Sequence, residues 1–540
     1  MTGPEHRDPT PGWRSRWFLV AISGISLIAL AIRVHLLSSR NLCYWDEGIF
    51  LMGVRFFRWR MHALASIVLS GADPGTVFFS TAYPGFPVFL QKPFHVVLLT
   101  VSSLLLGISS QTGTLHAAIY GTAVVGLTGV LAARIASPAT GILTALLLCF
   151  EPYHVHYSRV GLHETDSMLL LVCAVLLWVR SDQRDSNRAA CGAALFLVLS
   201  MGTSYRLFIN MLLIGIFELL RVVTQKSTFS RIRNRLASMF LGAAAGVTFL
   251  ELLHFSTFFP DLEWSEPASY IALLSRKFLS PESSMDLDFP FFYLDMFRQF
   301  DGLIPTACVC FAALVALISG TPAIRRIVVL FAIPFALYSV TTTRLARTVT
   351  GILPWAAILT ADCLVRGSAR RAGESLFMTA VRRGAMAVCT ISILISYLLH
   401  LPVVYTVNSA YPEVIAFLDQ TGTRRHLSTM LPISAFYAGK ESVASPGATE
   451  AALRRQVEQE GYRYLVVDWQ QYVRPLPSVM TIQTRVLPVF AVRNPMVDFF
   501  ATLHENYLPA DVPNLRQSDP SIGYIKVYDL WSIPGDAGDE

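Results

Sequence analysis

Residue types able to do acid–base or anion chemistry are sparse in this chain and sit in a few short stretches between long apolar runs. "NLCYWDEGIF" carries the adjacent carboxylates Asp46 and Glu47, and "EPYHVHYSRVGLHETDSMLLL" carries Arg159, His163 and Glu164. Arg206 lies in "SYRLF", Arg344 and Arg347 in "TTTRLARTVTGILPW", and Lys92 in the mixed stretch after "TAYPGFPVFL", which itself contains Tyr83. A carboxylate whose pKa is adjusted by partial burial can take a proton from a hydroxyl group. Guanidinium groups present a planar fork that binds phosphate oxygens two at a time, and they stabilise a phosphate that gains charge as it departs. Each feature also has a plainer explanation. Asp46 is a good N-cap for the segment after it, and an arginine at a helix flank can snorkel to lipid head groups.

The elements that must position these residues are membrane helices. Of 540 residues, 53% are hydrophobic and 15% charged, with a mean hydropathy of +0.49, so a water-soluble globule would lack the polar surface to cover itself. Apolar runs long enough to cross a bilayer recur near 17–37, 113–133, 138–157, 164–180, 189–204, 206–222, 236–256, 302–319, 323–341, 347–365 and 382–402. The stretch 84–107 holds Gln91, Lys92, Pro93 and His95 near its start, which suits a helix at the membrane interface better than a span. About eleven spans, plus interfacial helices, are therefore expected in residues 1–404. Residues 405–540 change to mixed composition, with helical periodicity and short β-rich runs such as "YRYLVVDW" and "GYIKVYDLW". That pattern predicts a small soluble α/β domain, without a glycine-rich phosphate loop.

Charge sets the expected orientation. With 84–107 not crossing, the basic clusters Arg14/Arg16, Arg180/Arg184/Arg188, Arg221 to Arg235, Arg325/Arg326 and Arg366 to Arg383 fall on the side of the N-terminus, which the positive-inside rule makes cytoplasmic. Asp46/Glu47, Arg159/Glu164, Arg206 and Arg344/Arg347 then all emerge on the external face of the plasma (inner) membrane, with the C-terminal domain. The net charge of +6 reads as topology signalling, and no basic face interleaved with aromatics points to nucleic acid. The eight cysteines suggest neither a disulfide framework nor a zinc site. His154, His156 and His163 do not follow a specific metal spacing, and no essential metal or other cofactor is expected, a divalent metal being the alternative.

The first-loop "YWDEGIF", the segment from Glu151 to Leu171, "SYRLF", and "RTVTGILPW" with an arginine followed by proline seven positions later resemble the membrane-embedded GT-C glycosyltransferases. The dolichyl-phosphate-mannose protein mannosyltransferase and aminoarabinose-transferase-like group is the nearest in pattern, over about residues 17–402. The resemblance implies an inverting transfer of a hexosyl or pentosyl unit from a polyprenyl-phosphate donor to a protein, lipid or glycan acceptor at the outer face. It assigns Asp46 as base with Glu47 in support, and Arg159, Arg206, Arg344, Arg347 and Lys92 to the donor phosphate. Glu164, His163, Tyr83 and Trp264 fall to sugar or acceptor; Trp264, Tyr270 and Tyr293 are the aromatics able to stack on sugar rings. Two departures stand out: Tyr83-Pro84-Gly85 replaces the basic-Pro-Pro seen before the interfacial helix, and the tail lacks a Trp-Trp-Asp motif. A transporter or flippase of a lipid-linked or anionic substrate is the alternative. It would call for internal repeats and helices broken at mid-membrane, neither of which the sequence displays.

Overall fold

A computed structural model describes residues 15–71, 73, 92–224, 229–258, 269–278, 291–341, 345–370, 373–473, 475–503 and 520–532. Tyr83, Trp264 and Arg344 lie outside the described residues. Helices form at each apolar run named above, in the order α1 (Arg16–Val34), α2 (Trp45–Ser70), α3 (Pro93–Leu106), α4 (Ser110–Ile135), α5 (Pro138–Phe150), α6 (Pro152–Tyr157), α7 (Glu164–Arg184) and α8 (Asn187–Thr203). They continue with α9 (Phe208–Thr224), α10 (Phe229–Phe258), α11 (Tyr270–Phe278), α12 (Phe292–Asp301), α13 (Leu303–Ser319), α14 (Pro322–Ser339), α15 (Leu353–Ser368) and α16 (Leu376–Tyr405). The chain is an integral membrane protein. Among the described residues, six helices are long and apolar enough to cross a bilayer, and Pro93–Leu106, Pro138–Phe150 and Leu303–Ser319 are shorter apolar helices.

The chain divides into two units. The first comprises Met1–His35, Gln91–His95 and Thr114–Val404. Within it α8 packs between α7 and α10, while α15 is flanked by α5, α13 and α14, and α1 lies on α5. Every residue from Leu353 to Asp362 in α15 is buried, as an all-round apolar helix in the middle of a bundle must be. The outer helices are the reverse: Leu399 of α16 is 72% exposed and Phe240 of α10 77% exposed, surfaces that suit lipid chains.

Two local breaks depart from the expectation of uninterrupted spans. The run 138–157 is split at Glu151–Pro152 into α5 and the short α6, because proline cannot supply the N–H that a continuous helix needs but is well placed at a helix start. The run from 347 begins as a 3-10 segment, Ala346–Ile352, since Pro354 in the first turn of α15 has no N–H with which to continue an α-helical ladder back into it. Tyr153 of α6 holds this segment by donating its hydroxyl to the carbonyl of Ala346 at 2.6 Å, and its ring stacks on Phe300 at 4.3 Å.

The second unit joins Tyr405–Glu540 to Leu36–Leu90 and Val96–Gly113. Its centre is a five-stranded sheet of β1 (His426–Ser428), β2 (Val443–Ala444), β3 (Tyr464–Val467), β4 (Phe490–Arg493) and β5 (Tyr524–Asp529) in the order β2-β1-β3-β5-β4. β1 runs parallel to β2 and β3; β5 is antiparallel to β3 and β4, with Leu465 opposite Tyr528 and Val466 opposite Val527. All four residues of β3 are buried, the mark of a strand covered on both faces. Leu427, Leu465, Val467 and Tyr528 form its core with Leu453, Val479 and Ile482. At the end of β3, Asp468 accepts from the hydroxyls of Tyr411 (2.6 Å) and Thr429 (3.1 Å) and from the N–H of Gln470 (2.9 Å). That carboxyl is buried, and burial pushes its pKa up.

Candidate active site

Two groups of the residues singled out in the sequence are built by different means. In the second unit, Asp46 and Glu47 occupy the first turn of α2, whose N-cap is Tyr44, so Asp46 is not the N-cap that its residue type suggests. Carboxylates here are favoured by the helix dipole. Glu47 is 1% exposed and its carboxylate takes a bidentate pair from Arg40 (2.9 and 3.1 Å). It also accepts from the backbone N–H groups of Cys43 (2.8 Å) and Tyr44 (3.0 Å). Glu47 thus satisfies helix-start donors that would otherwise be orphaned. Its role is to fix the turn that carries Asp46, which remains half-buried.

The turn is tied to the sheet domain's own chain. The N–H of Asn41 donates to Asn408 (2.9 Å) and that of Leu42 to the Tyr437 hydroxyl (3.1 Å). A Cβ on Gly48 would lie 2.7 Å from the carbonyl carbon of Pro432, at the start of the helix Leu431–Ala438, so the residue after the carboxylates must be glycine for the two segments to meet.

In the first unit, Lys92, His163, Glu164, Arg206 and Arg347 converge. Lys92 Nζ donates to His163 Nδ1 at 2.9 Å. His163 Nε2 is 3.5 Å from Glu164 Oε1, and Arg347 Nε is 3.9 Å from the same oxygen. Arg206 Nη1 donates to the hydroxyl of Thr348 at 2.6 Å, beside Arg347, and the Tyr338 hydroxyl donates to the Arg206 carbonyl. Burial, and then the charges of Lys92, Arg347, His95 and Arg206, hold His163 well below the usual imidazole pKa. The electrostatic character of this place is therefore positive: among the described residues, the cations Lys92, Arg206 and Arg347 gather beside the carboxylate of Glu164. An anion arriving here is stabilised by groups already fixed in place.

Arg159 does something else. Its Nη1 donates to the carbonyls of Arg33 (2.8 Å), His35 and Ile32, at the C-terminal end of α1. It caps orphaned carbonyls and interacts with the negative end of the helix dipole. Its place on a loop before Glu164, which suggests a phosphate ligand, reflects this structural duty. Tyr270 and Tyr293 are 2% and 0% exposed, and Tyr270 donates its hydroxyl to the Met201 carbonyl at 3.1 Å. They belong to the packed interior, not to a stacking platform for sugars.

The histidines regroup as well. His154 pairs with Arg33 (2.6 Å), and His156 meets the rings of Tyr157 and Phe300. The side chains of His95, His116 and Asp166 form the group whose donor atoms lie close enough together to hold a metal ion. Neither this group nor Arg40 was visible as a motif, because their partners are 7 to 71 residues away and follow no repeat.

Comparison with known proteins decides the fold. No protein-family model and no curated protein matches the chain. Among solved structures it is similar to ArnT from Cupriavidus metallidurans in the apo state, with a TM-score of 0.60 at 13% identity over 96% of this chain and 99% of that one. The fold is of the GT-C type. The same protein bound to undecaprenyl phosphate matches with a TM-score of 0.57, at 13% identity over 97% of this chain and 99% of that one. The archaeal oligosaccharyltransferase AglB from Archaeoglobus fulgidus, in complex with an inhibitory peptide and a dolichol-phosphate, matches with a TM-score of 0.58 at 12% identity, over 97% of this chain and 75% of that one.

Proposed function

We propose that this GT-C chain is a glycosyltransferase that moves a hexosyl or pentosyl unit from a polyprenyl-phosphate donor to an acceptor hydroxyl, with inversion, at the outer face of the membrane. The observation that carries the reading is the convergence of Lys92, Arg206 and Arg347 around His163 and Glu164, in a fold shared with a protein that binds undecaprenyl phosphate.

In this reaction the acceptor oxygen attacks the anomeric carbon from the side opposite the phosphate. The bond from that carbon to the phosphate oxygen breaks, and its electron pair leaves with the lipid phosphate. Arg347 and Arg206, with Lys92, neutralise the charge that grows on the leaving group, so they bind the transition state more tightly than the ground state. Asp46 takes the acceptor's proton as general base, and Glu47 positions it through the clamp with Arg40. Glu164 and His163 hold sugar or acceptor hydroxyls. The C-terminal domain contributes to acceptor recognition, and the acceptor is a protein, lipid or glycan.

The orientation proposed is supported by α7, which carries Glu164 at its first position. At its other end, Asp182 pairs with Arg221 and Arg326, and nearby Glu218 pairs with Arg235. The 21 residues of α7 separate these ends by about 30 Å, roughly a hydrocarbon thickness. With the basic end cytoplasmic, the Glu164 end is external. Gathering the three cations at one end is also what disfavours a flippase, whose substrate would need polar contacts through the bilayer.

The test is transfer of labelled sugar from a polyprenyl-phosphate donor by the purified chain in lipid vesicles, together with mass spectrometry of glycolipids and glycoproteins from cells with and without it. Donor-dependent product that disappears in Arg347→Ala supports the reading. A well-folded chain that transfers no sugar from any polyprenyl phosphate, or an Arg347→Ala variant with unchanged turnover, overturns it.

A further inference from the structure

The starts of three helices meet at a buried group that the reading above does not use. His95 lies in the first turn of α3, His116 in the second turn of α4 and Asp166 in the first turn of α7, and all three are at most 1% exposed. One carboxylate oxygen of Asp166 lies 2.7 Å from His95 Nδ1 and the other 2.8 Å from His116 Nε2. The imidazole rings are 6.0 Å apart and inclined at 69°, and the three donor atoms lie within 4.8 Å of one another.

We propose that His95, His116 and Asp166 bind one divalent transition-metal cation of the zinc class. The donor set is two imidazole nitrogens and one carboxylate oxygen, which suits zinc and its first-row neighbours and does not suit magnesium or calcium, whose sites are built from oxygen. Metal–ligand bonds of about 2.1 Å in tetrahedral geometry put neighbouring donors about 3.4 Å apart. Each carboxylate–imidazole pair needs to open by about 0.7 Å, and the widest donor separation, within 4.8 Å, to close by at most about 1.4 Å, to admit the ion between them. Charge argues the same way. Among the described residues, the side-chain partners of Asp166 are the two imidazoles, and Lys and Arg take no part in its pairing. A carboxylate at 0% exposure in an apolar bundle is costly without a full countercharge, and a cation held in common by the three side chains supplies one.

The consequence is positional. α3 begins one residue after Lys92, and α7 begins one residue after His163, so an ion joining His95 to Asp166 fixes the two helix starts whose flanking residues form the Lys92–His163 contact. The His95 and His163 rings are 6.2 Å apart. The metal is thus a positioning element for the cationic group and is no participant in the transfer.

Metal content and coordination test this independently of sugar transfer. The full-length chain in detergent micelles is stripped with a chelator, supplied with zinc or cobalt(II), and passed through a desalting column. One equivalent of zinc by mass spectrometry is expected, and the cobalt(II) protein should show four- or five-coordinate absorption, with nitrogen coupling in its pulsed electron paramagnetic resonance spectrum. His116→Gln and Asp166→Asn should each weaken zinc binding by about tenfold or more, with elution volume and helical circular dichroism unchanged. A wild-type chain that retains no zinc, a cobalt(II) spectrum without nitrogen ligands, or a full equivalent retained by the H116Q/D166N double variant each overturns the proposal. If the variants do not fold, the wild-type cobalt spectrum decides it alone. Loss of sugar transfer with one equivalent still bound would count against the glycosyltransferase reading and leave the metal site standing.

Discussion

The two charged regions of this protein, the Glu47 turn in the second unit and the Lys92–Arg206–Arg347 group in the first, solve the problem of buried charge in opposite ways. Glu47 is closed: a guanidinium at 2.9 and 3.1 Å and two backbone N–H groups answer its negative charge. The cationic group carries an excess of one sign: among the described residues, Lys92, Arg206 and Arg347 gather beside Glu164, which stands 3.9 Å from Arg347 and 3.5 Å from His163. A closed pair serves architecture, since its free energy is already realised in the resting protein. An excess of one sign, held in place by Thr348, Tyr338 and Tyr153, keeps its interaction energy for something that binds.

Substitutions can break that contrast or sharpen it. The largest effect is expected for Asp46→Asn, which removes the base while keeping the side chain's size: turnover should fall by about 10²–10⁴, with the melting temperature unchanged. Next comes Arg347→Ala, with a loss of about 10²–10³ in turnover. Arg347→Lys should recover only part of it, because an ammonium cannot reproduce the planar fork. Thermal stability should move little in either variant. If both instead unfolded the chain, the cationic region would be structural after all.

Glu47→Gln should do the reverse, destabilising the protein by about 3–5 kcal/mol by leaving Arg40 buried and unpaired. Replacing both partners, as Arg40→Met with Glu47→Leu, should restore part of that stability. Chemical denaturation in detergent reads both. An E47Q chain with normal stability and lost turnover would turn Glu47 into a residue acting on substrate directly. Gly48→Ala is expected to cost about 1–3 kcal/mol, because the backbone at Pro432 has nowhere to yield.

The smallest effect is a pH dependence in the sheet domain. His426 in β1 is buried, and burial lowers its pKa from 6.5 to about 4. The unfolded chain takes up this proton near pH 6.5 and the folded chain only near 4. Stability from this residue is therefore complete above pH 6.5 and is lost as pH falls toward 4. His426→Gln should flatten the melting temperature across that window, while Asp468, whose pKa is raised by burial, contributes with the opposite sign.

Much of the architecture was legible in the sequence because it rests on one-dimensional patterns. Apolar run length marks membrane helices, and "YLVV" followed by polar residues marks a covered strand. Even Pro152 and Pro354, which split α5 from α6 and set the 3-10 entry to α15, act locally, through the N–H that each of them lacks. Lys92, Arg206 and Arg347 were recognisable as candidates by residue type and by the rarity of charge in such a chain.

Which partners those charges take, by contrast, was decided in three dimensions. Arg159 and Arg347 look alike in sequence, each an arginine between two apolar runs. One donates to the carbonyls at the end of α1 and the other lies 3.9 Å from Glu164. Asp46 and Glu47 are neighbours, yet only Glu47 is taken up by Arg40. His95, His116 and Asp166 share no motif at all. The sequence by itself determined that this chain crosses a membrane by helices and carries a small α/β domain, because hydropathy and periodicity are properties of neighbours along the chain. Only the tertiary structure could give each charge its partners, since these hydrogen bonds join residues tens to hundreds of positions apart.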